Sequence, residues 1–327
     1  MTGYPGDAEF GFELVTCRWA ERAWPPHRET DAVPVVARQL GTRDRRWDTV
    51  VVEADPDALA ARAAFGADAL DSDLLHVVRH APAEWAWYRD ALPDPGYPWR
   101  YVRAAIHRAD ARGVVETRRD GNRIQIRRIA PYPDWVRRLV AIENKPDLSA
   151  SAARALGDQI EHDVSTALAD EVWVATAATG ETVEPALLED LPVEAGVLAL
   201  SFEGDEAPAG SVAWYPATLD PTADASATEK KRLELAERAY GSGWRSYVET
   251  MRPDCRAFEL RDVAGAFVPW CAAKDCHQTA AECSGSCPSF EPEPPAWRTR
   301  GWPIEGGPGK GIQRLLARRR RRRRQPR

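Results

Sequence analysis

Glu143 and Lys145, within Glu143-Asn144-Lys145, are the residues whose types and spacing most clearly support chemistry. They follow an apolar run, Leu139-Val140-Ala141-Ile142, and Pro146 closes it. Residues two apart on a strand share a face, so the carboxylate and the ammonium stand side by side. Such a pair can help hold a divalent cation and stabilise charge on an attacked phosphate. The chain has five lysines (145, 230, 231, 274 and 310) against 39 arginines. A lysine kept at this place suits a role that needs a compact, titratable point charge, which a guanidinium does not supply. The plainer alternative is a solvated ion pair of little worth.

The elements that must position this pair can be read on either side of it. Residues 8–23 carry apolar positions at helical spacing, and Pro25-Pro26 ends that helix. Val33 to Leu40 and Arg45 to Val52 predict two strands joined by a polar turn. Ser149 to Leu168 predicts a long helix with Ser149 as N-cap, and Asp170 to Thr176 a further strand. Pro192 to Phe202 and Ser211 to Tyr215 predict two more, and residues 226–252 two short helices.

Between these, residues 56–129 change character. Leu59 to Phe65, Leu70 to His80 and Ala83 to Leu92 predict helices, and Trp99 to Arg112 a basic helix ended by Gly113. Two alternating strands then flank Asp120-Gly121, a strong hairpin signal. Helices, a basic helix and a basic hairpin come in the order of a winged helix-turn-helix, with the helix in a major groove and the wing on the backbone. Arg100, Arg103, His107 and Arg108 would then face DNA, with Arg118, Arg119 and Arg123 on the wing. An Arg-rich solvated face is the alternative. His76 and His80 lie one helical turn apart without a third ligand and read as surface residues.

With residues 56–129 set aside, the order is helix, strand, strand, strand, helix, strand. Asp48 lies on the second strand, Glu143 and Lys145 on the third, and Gln159 on the helix after it. On these residues the chain resembles the PD-(D/E)xK nuclease superfamily, over roughly residues 8–55 and 131–203. The resemblance implies a restriction-endonuclease-like αβββαβ core that binds Mg2+ or Mn2+ and hydrolyses phosphodiesters in DNA. It implies Asp48, Glu143 and Lys145 as catalytic residues, with Gln159 beside them. Asp134, in Pro133-Asp134, is the alternative acid, and Asp48 is favoured because one helix and one strand already precede it. The first helix often adds a Glu in that superfamily; Glu13 is the candidate and Glu9 the reserve. The RecB-like submotif Gln-x-x-x-Tyr is incomplete, because Asp163 stands where the Tyr would be.

Six cysteines complete the candidate chemistry. Cys255, Cys271, Cys276, Cys283 and Cys287 crowd into 33 residues, and Cys17 lies alone in the first helix. In a reducing compartment such crowding suits zinc or an iron–sulfur cluster better than disulfides. Cysteines after the core with one in the first helix also resemble iron–sulfur RecB-like nucleases, in which an early Cys joins three late ones. Cys271, Cys283 and Cys287 are the leading ligands, with the fourth from Cys255, Cys276 or Cys17, around a 4Fe-4S cluster or Zn2+. Scattered buried thiols are the alternative. The glycine-rich run 306–311 follows no strand and lacks Ser or Thr after Lys310, which disfavours a phosphate loop.

Composition bounds the rest. No run of about eighteen apolar residues predicts a membrane span, and the polar N-terminus lacks a secretory pattern, so a cytoplasmic protein is expected. The formal net charge is −6, but residues 310–327 hold ten positive charges and no acid, leaving −16 on the other 309 residues. An acidic, Lys-poor body suits a high-salt cytoplasm of haloarchaeal type, and the Arg-rich tail suits phosphate contact. The expected organisation is α/β. Residues 1–55 and 131–217 form the nuclease core around a winged helix-turn-helix at 56–130. A cysteine-rich metal-binding segment follows at 218–300 and a disordered tail at 301–327. The expected partner is DNA. Against the nuclease stand a DNA-binding regulator that uses an inactive core as scaffold and, more distantly, a zinc-held structural adaptor.

Overall fold

A computed structural model describes residues 9–177, 190–201, 209–220, 225–244, 257–263, 266–277 and 287–289. Helix α1 (Glu9–Ala23) precedes a hairpin of β1 (Val33–Gly41) and β2 (Arg46–Ala54). Next come α2 (Pro56–Arg62) with a 3-10 turn over Ala63–Phe65, α3 (Ser72–His80), β3 (Ala86–Trp87), α4 (Tyr88–Ala91) and α5 (Trp99–Ala111). The hairpin of β4 (Val115–Asp120) and β5 (Arg123–Arg128) closes this stretch. Then follow β6 (Val136–Asn144), α6 (Ala150–Thr166), β7 (Glu171–Ala177), β8 (Gly196–Ser201), β9 (Ala209–Trp214) and α7 (Ala225–Ser242). Last are β10 (Phe258–Val263), β11 (Ala266–Cys271) and β12 (Cys276–His277).

The protein is mixed α/β around a six-stranded sheet ordered β1-β2-β6-β7-β8-β9. The pairs β1–β2 and β2–β6 are antiparallel, β6–β7 and β7–β8 are parallel, and β8–β9 is antiparallel. A polar turn suffices between β1 and β2, whereas the parallel step from β6 to β7 needs the crossover that α6 supplies. The central strands β2, β6 and β7 are buried along most of their length, and their Val-, Ile- and Ala-rich runs reflect cover on both faces. On one face α1 packs Phe12, Leu14, Cys17 and Ala20 against Val51, Val140, Ile142, Trp173 and Leu198. On the other, α7 lays Leu235, Ala236 and Ala239 over Val50, Val52, Leu139 and Ala141, while α6 covers Val172, Val174 and Val197.

Residues between β2 and β6, two strands adjacent in this sheet, build a second core with its own sheet, ordered β3-β5-β4. Val77 and Val78 of α3, Val102 and Ile106 of α5, and Ile126 of β5 form its centre. The expected helix over Ala83 to Leu92 divides: Ala86-Trp87 pair with Ile126 and Gln125 as a strand, and only Tyr88–Ala91 is helical. Alternating Trp85-Ala86-Trp87 gives those residues a strand pattern, and the winning contact is tertiary. Of the two short helices expected over residues 226–252, one helix runs from Ala225 to Ser242, and residues 245–252 lie outside the described residues.

The two cores are joined by a buried ion pair. Arg62, at the end of α2, donates from Nε and Nη2 to the two carboxylate oxygens of Glu237 on α7, both at 2.5 Å, with both side chains fully buried. The same carboxylate accepts from the Leu70 amide at 2.8 Å and the Tyr132 hydroxyl at 2.7 Å, and Arg62 lies over the Tyr240 ring. Every charged atom is thus partnered, which is what makes burial of two charges tolerable.

Candidate active site

Strand alternation builds the site at one end of the large sheet. Thr49 pairs with Ile142 and Val50 with Ala141, so the register carries Asp48 opposite Glu143 on the face shared by Val50 and Ala141. Gln39 stands on the other side of Asp48, since Arg38 pairs with Thr49 and Leu40 with Trp47. Gln39, Asp48 and Glu143 therefore form a row across three strands. Lys145 continues the row's face by its spacing of two; its amide donates to the Ala175 carbonyl at 2.8 Å, and the residue is half-buried.

Hydrogen bonds hold this row. Asp48 Oδ2 accepts from the Asn144 amide at 3.0 Å, and Asp48 Oδ1 from Gln39 Nε2 at 3.1 Å. The same Gln39 amide reaches Glu13 Oε1 at 3.1 Å, and Arg38 grips both Glu13 oxygens at 2.9 Å. Gln39 has φ of 53°, a left-handed conformation that a residue with a Cβ adopts at a cost. Here that conformation aims one amide at two carboxylates from different elements.

Glu143 is almost fully buried. Burial, and then the Asp48 charge opposite, push its pKa up to about 8, against the opposing pull of Arg45. Burial likewise raises that of Glu13, opposed by Arg38. Arg45 comes from the turn between β1 and β2. Its Nη2 donates to Glu143 Oε1 at 2.7 Å and to Asp163 Oδ2 at 2.6 Å, while Nε donates to Asp163 at 2.9 Å and 3.0 Å. Gly41 makes this turn possible: a Cβ there would stand 2.0 Å from the Arg45 carbonyl oxygen. The Gly41 carbonyl in turn accepts from Arg238 of α7 at 2.6 Å.

The structure therefore brings together Glu13, Asp48 and Glu143 among the expected residues, with Lys145 two residues on from Glu143, and adds Gln39, Arg45 and Asp163. Gln159 lies partly buried on α6, one turn before Asp163. Asp163 occupies the place where the Gln-x-x-x-Tyr pattern has its Tyr, and that spacing was the one available signal for it. Arg45 and Gln39 carried none, because a turn arginine and a strand glutamine read as solvated. Asp134 is corrected: it precedes the far end of β6, about 30 Å from Glu143 at strand rise. There it lines a surface pocket of about 450 Å³ with Arg79 and Arg232. Glu9 opens α1.

Two carboxyl groups of the row have the oxygen chemistry that a divalent cation takes. Asp48 and Glu143 offer hard oxygen donors on adjacent strands, and a cationic group, the Arg45 guanidinium, already bridges Glu143 to Asp163. Among the described residues no preformed group of three or more His, Cys, Asp or Glu side chains has ligand geometry.

The cysteines divide. Cys17 is fully buried in the core, with its sulfur 3.4 Å from Thr49 Oγ1, and burial raises its pKa, so it is a packed thiol rather than an exposed thiolate. Cys271 and Cys276 face each other as partners between β11 and β12, and Cys287 is half-buried. Cys255, Cys283 and the Arg-rich run 318–324 lie outside the described residues.

On α5, Arg100, Arg103, His107 and Arg108 are exposed, and so are Arg118, Arg119 and Arg123 on the β4–β5 hairpin. Several are engaged: Arg108 pairs with Asp71 and Asp73, Arg118 lies 4.5 Å from the Trp85 ring centre, and Arg123 4.7 Å from that of Trp87. No described helix is long and apolar enough to cross a membrane.

No curated protein and no solved structure matches the chain. A match to the family described as "Family of unknown function (DUF5787)" covers residues 35–292, which take in Gln39, Arg45, Asp48, Glu143, Lys145 and Asp163 but not Glu9, Glu13 or Cys17. The chain belongs to the DUF5787 family.

Proposed function

We propose that the protein is a divalent-cation-dependent DNA nuclease with Asp48, Glu143 and Lys145 at its centre. The observation that carries this reading is the register: two carboxyl groups stand opposite one another on adjacent strands, so that one divalent cation could take an oxygen from each. Asp48 and Glu143 would hold Mg2+ or Mn2+, with Glu13 behind them through Gln39. When bound, such an ion supplies Lewis acidity and a water activated for attack on phosphorus. Lys145 supplies a compact positive charge beside the reacting phosphate and orients the attacking water. Gln39 and the Asn144 amide fix the rotamer of Asp48.

The order α1-β1-β2-β6-α6-β7, with three antiparallel strands and a parallel fourth, supports the restriction-endonuclease-like core. The order helix, strand, helix, helix, strand, strand over α3 to β5 supports a winged helix-turn-helix, with α5 as the DNA-reading helix. We further propose that Cys271 and Cys276 supply two ligands of a zinc or iron–sulfur site, supported by their cross-strand pairing.

Cleavage of single- and double-stranded DNA, with Mg2+ or Mn2+ and at high as well as low salt, tests the main reading. Activity is expected in the wild type and a loss of at least a hundredfold in Glu143→Ala and Lys145→Ala, with the fold retained. Wild-type rates in both variants would rule out this centre. The occupation of Glu143 by Arg45 favours a second reading, a DNA-binding regulator on an inactive core. Undiminished DNA binding with no cleavage under any metal would select it.

A further inference from the structure

Arg45 is the residue of this site whose role neither the strand row nor the cysteines explain. Its backbone is fixed: the Thr42 amide donates to its carbonyl at 2.7 Å, and its own amide donates to Thr42 Oγ1 at 3.2 Å. Its guanidinium is mostly buried and turned inward, with a further bond to the Arg46 carbonyl at 2.6 Å. The attachment is uneven. Asp163 receives three donations, at 2.6, 2.9 and 3.0 Å, whereas Glu143 receives one, at 2.7 Å, from an Nη2 it shares with Asp163. Glu13, by contrast, has a guanidinium of its own in Arg38.

We propose that Arg45 is an internal counter-ion that competes with the divalent cation for Glu143, and that Asp163 is the mooring to which it withdraws. The inference rests on the metal-dependent reading above. A divalent ion on Glu143 repels a guanidinium a few ångströms away, and the single Nη2–Glu143 bond is the one that can be given up. The bonds from Nε keep Arg45 on Asp163, so the exchange moves one end of a side chain and no backbone. Cation binding at this site then displaces the guanidinium as well as any proton on Glu143, and its affinity is lower than the carboxylates alone would give. Asp163 acts through Arg45, as a positioning residue.

The test uses full-length protein and two readouts that do not involve cleavage. Mn2+ affinity is measured by the electron paramagnetic resonance signal of unbound Mn2+ in the wild type, Arg45→Gln and Glu143→Gln. In parallel, arginine side-chain nitrogen resonances of the folded wild type are followed during a Mg2+ titration, with the Arg45 signals assigned by their absence from Arg45→Lys. The expected results are affinity at least tenfold tighter in Arg45→Gln and strong weakening in Glu143→Gln. The Arg45 Nη signal should shift with the midpoint of cation binding while its Nε signal stays protected on Asp163. Equal or weaker Mn2+ binding by Arg45→Gln overturns the competition and leaves the metal site standing. Tighter binding with Arg45 resonances unmoved reduces the effect to long-range charge and overturns the exchange. Mn2+ binding in Glu143→Gln as tight as in the wild type places the cation elsewhere and removes the nuclease reading as well. The resonance measurement uses only the conservative Arg45→Lys variant, for assignment, and decides the matter even if Arg45→Gln does not fold.

Discussion

Burial and then the Asp48 charge push the Glu143 pKa up to about 8, against the pull of Arg45. In the unfolded chain the same carboxyl titrates near its ordinary 4.5. Between these two values the folded state binds the extra proton, so the contribution of Glu143 to stability falls as pH rises. It is fully present below about pH 4.5 and gone above about pH 8. Thermal melts of metal-free protein should therefore decline across that interval, and Glu143→Gln should flatten the decline. A wild-type and variant that fall in parallel would show that Glu143 does not titrate there. Added Mg2+ should restore stability most at the alkaline end, where the proton no longer has to be displaced. Strand alternation made Glu143, Lys145 and Asp48 legible, since period two alone fixes which residues share a face. It says nothing of Arg45, whose place depends on a turn that only Gly41 permits, or of Gln39, whose role follows from a left-handed backbone.

At the scale of elements, most strands and helices of the large sheet follow from apolar runs and caps. Ser149 does cap α6, accepting from the Ala152 amide at 3.3 Å. The clear departure is Ala86-Trp87, which takes its strand form from β5, a partner distant in sequence that a local pattern cannot contain. The same distinction sorts the arginines of α5 and the hairpin. Arg108 is committed to Asp71 and Asp73, whereas Arg103 and Arg119 are exposed and pair with no acid among the described residues. If α5 and the hairpin lie on DNA, Arg103→Ala and Arg119→Ala should each flatten the salt dependence of binding by about one unit of slope. Arg108→Ala should change it less, because that charge is already neutralised. Equal slopes in all three variants would argue for a merely solvated face. Arg118 and Arg123 lie over Trp85 and Trp87, so their replacement should also loosen the hairpin, visible as a blunted near-ultraviolet circular dichroism signal.

At the scale of the molecule, the Arg62–Glu237 pair joins the two cores with both ions fully buried. Removing one partner strands the other charge in the interior, so Glu237→Ala should destabilise the protein by about 3–5 kcal/mol. The double variant Arg62→Met, Glu237→Leu should cost less than either single change, since it leaves no orphaned ion. Denaturant titration measures both, and additive losses would show that the pair is not coupled. This clasp also has a consequence for how the protein is made. Arg62 leaves the ribosome 175 residues ahead of Glu237, a wait of roughly 10–35 s at ordinary elongation rates. Throughout that interval the residues between β2 and β6 have an arginine with no acid to receive it, and β2 has no α7 above it. Neither the insertion nor the sheet has its full set of native contacts until α7 has emerged, since that one helix supplies Glu237 to the first and Leu235, Ala236 and Ala239 to the second.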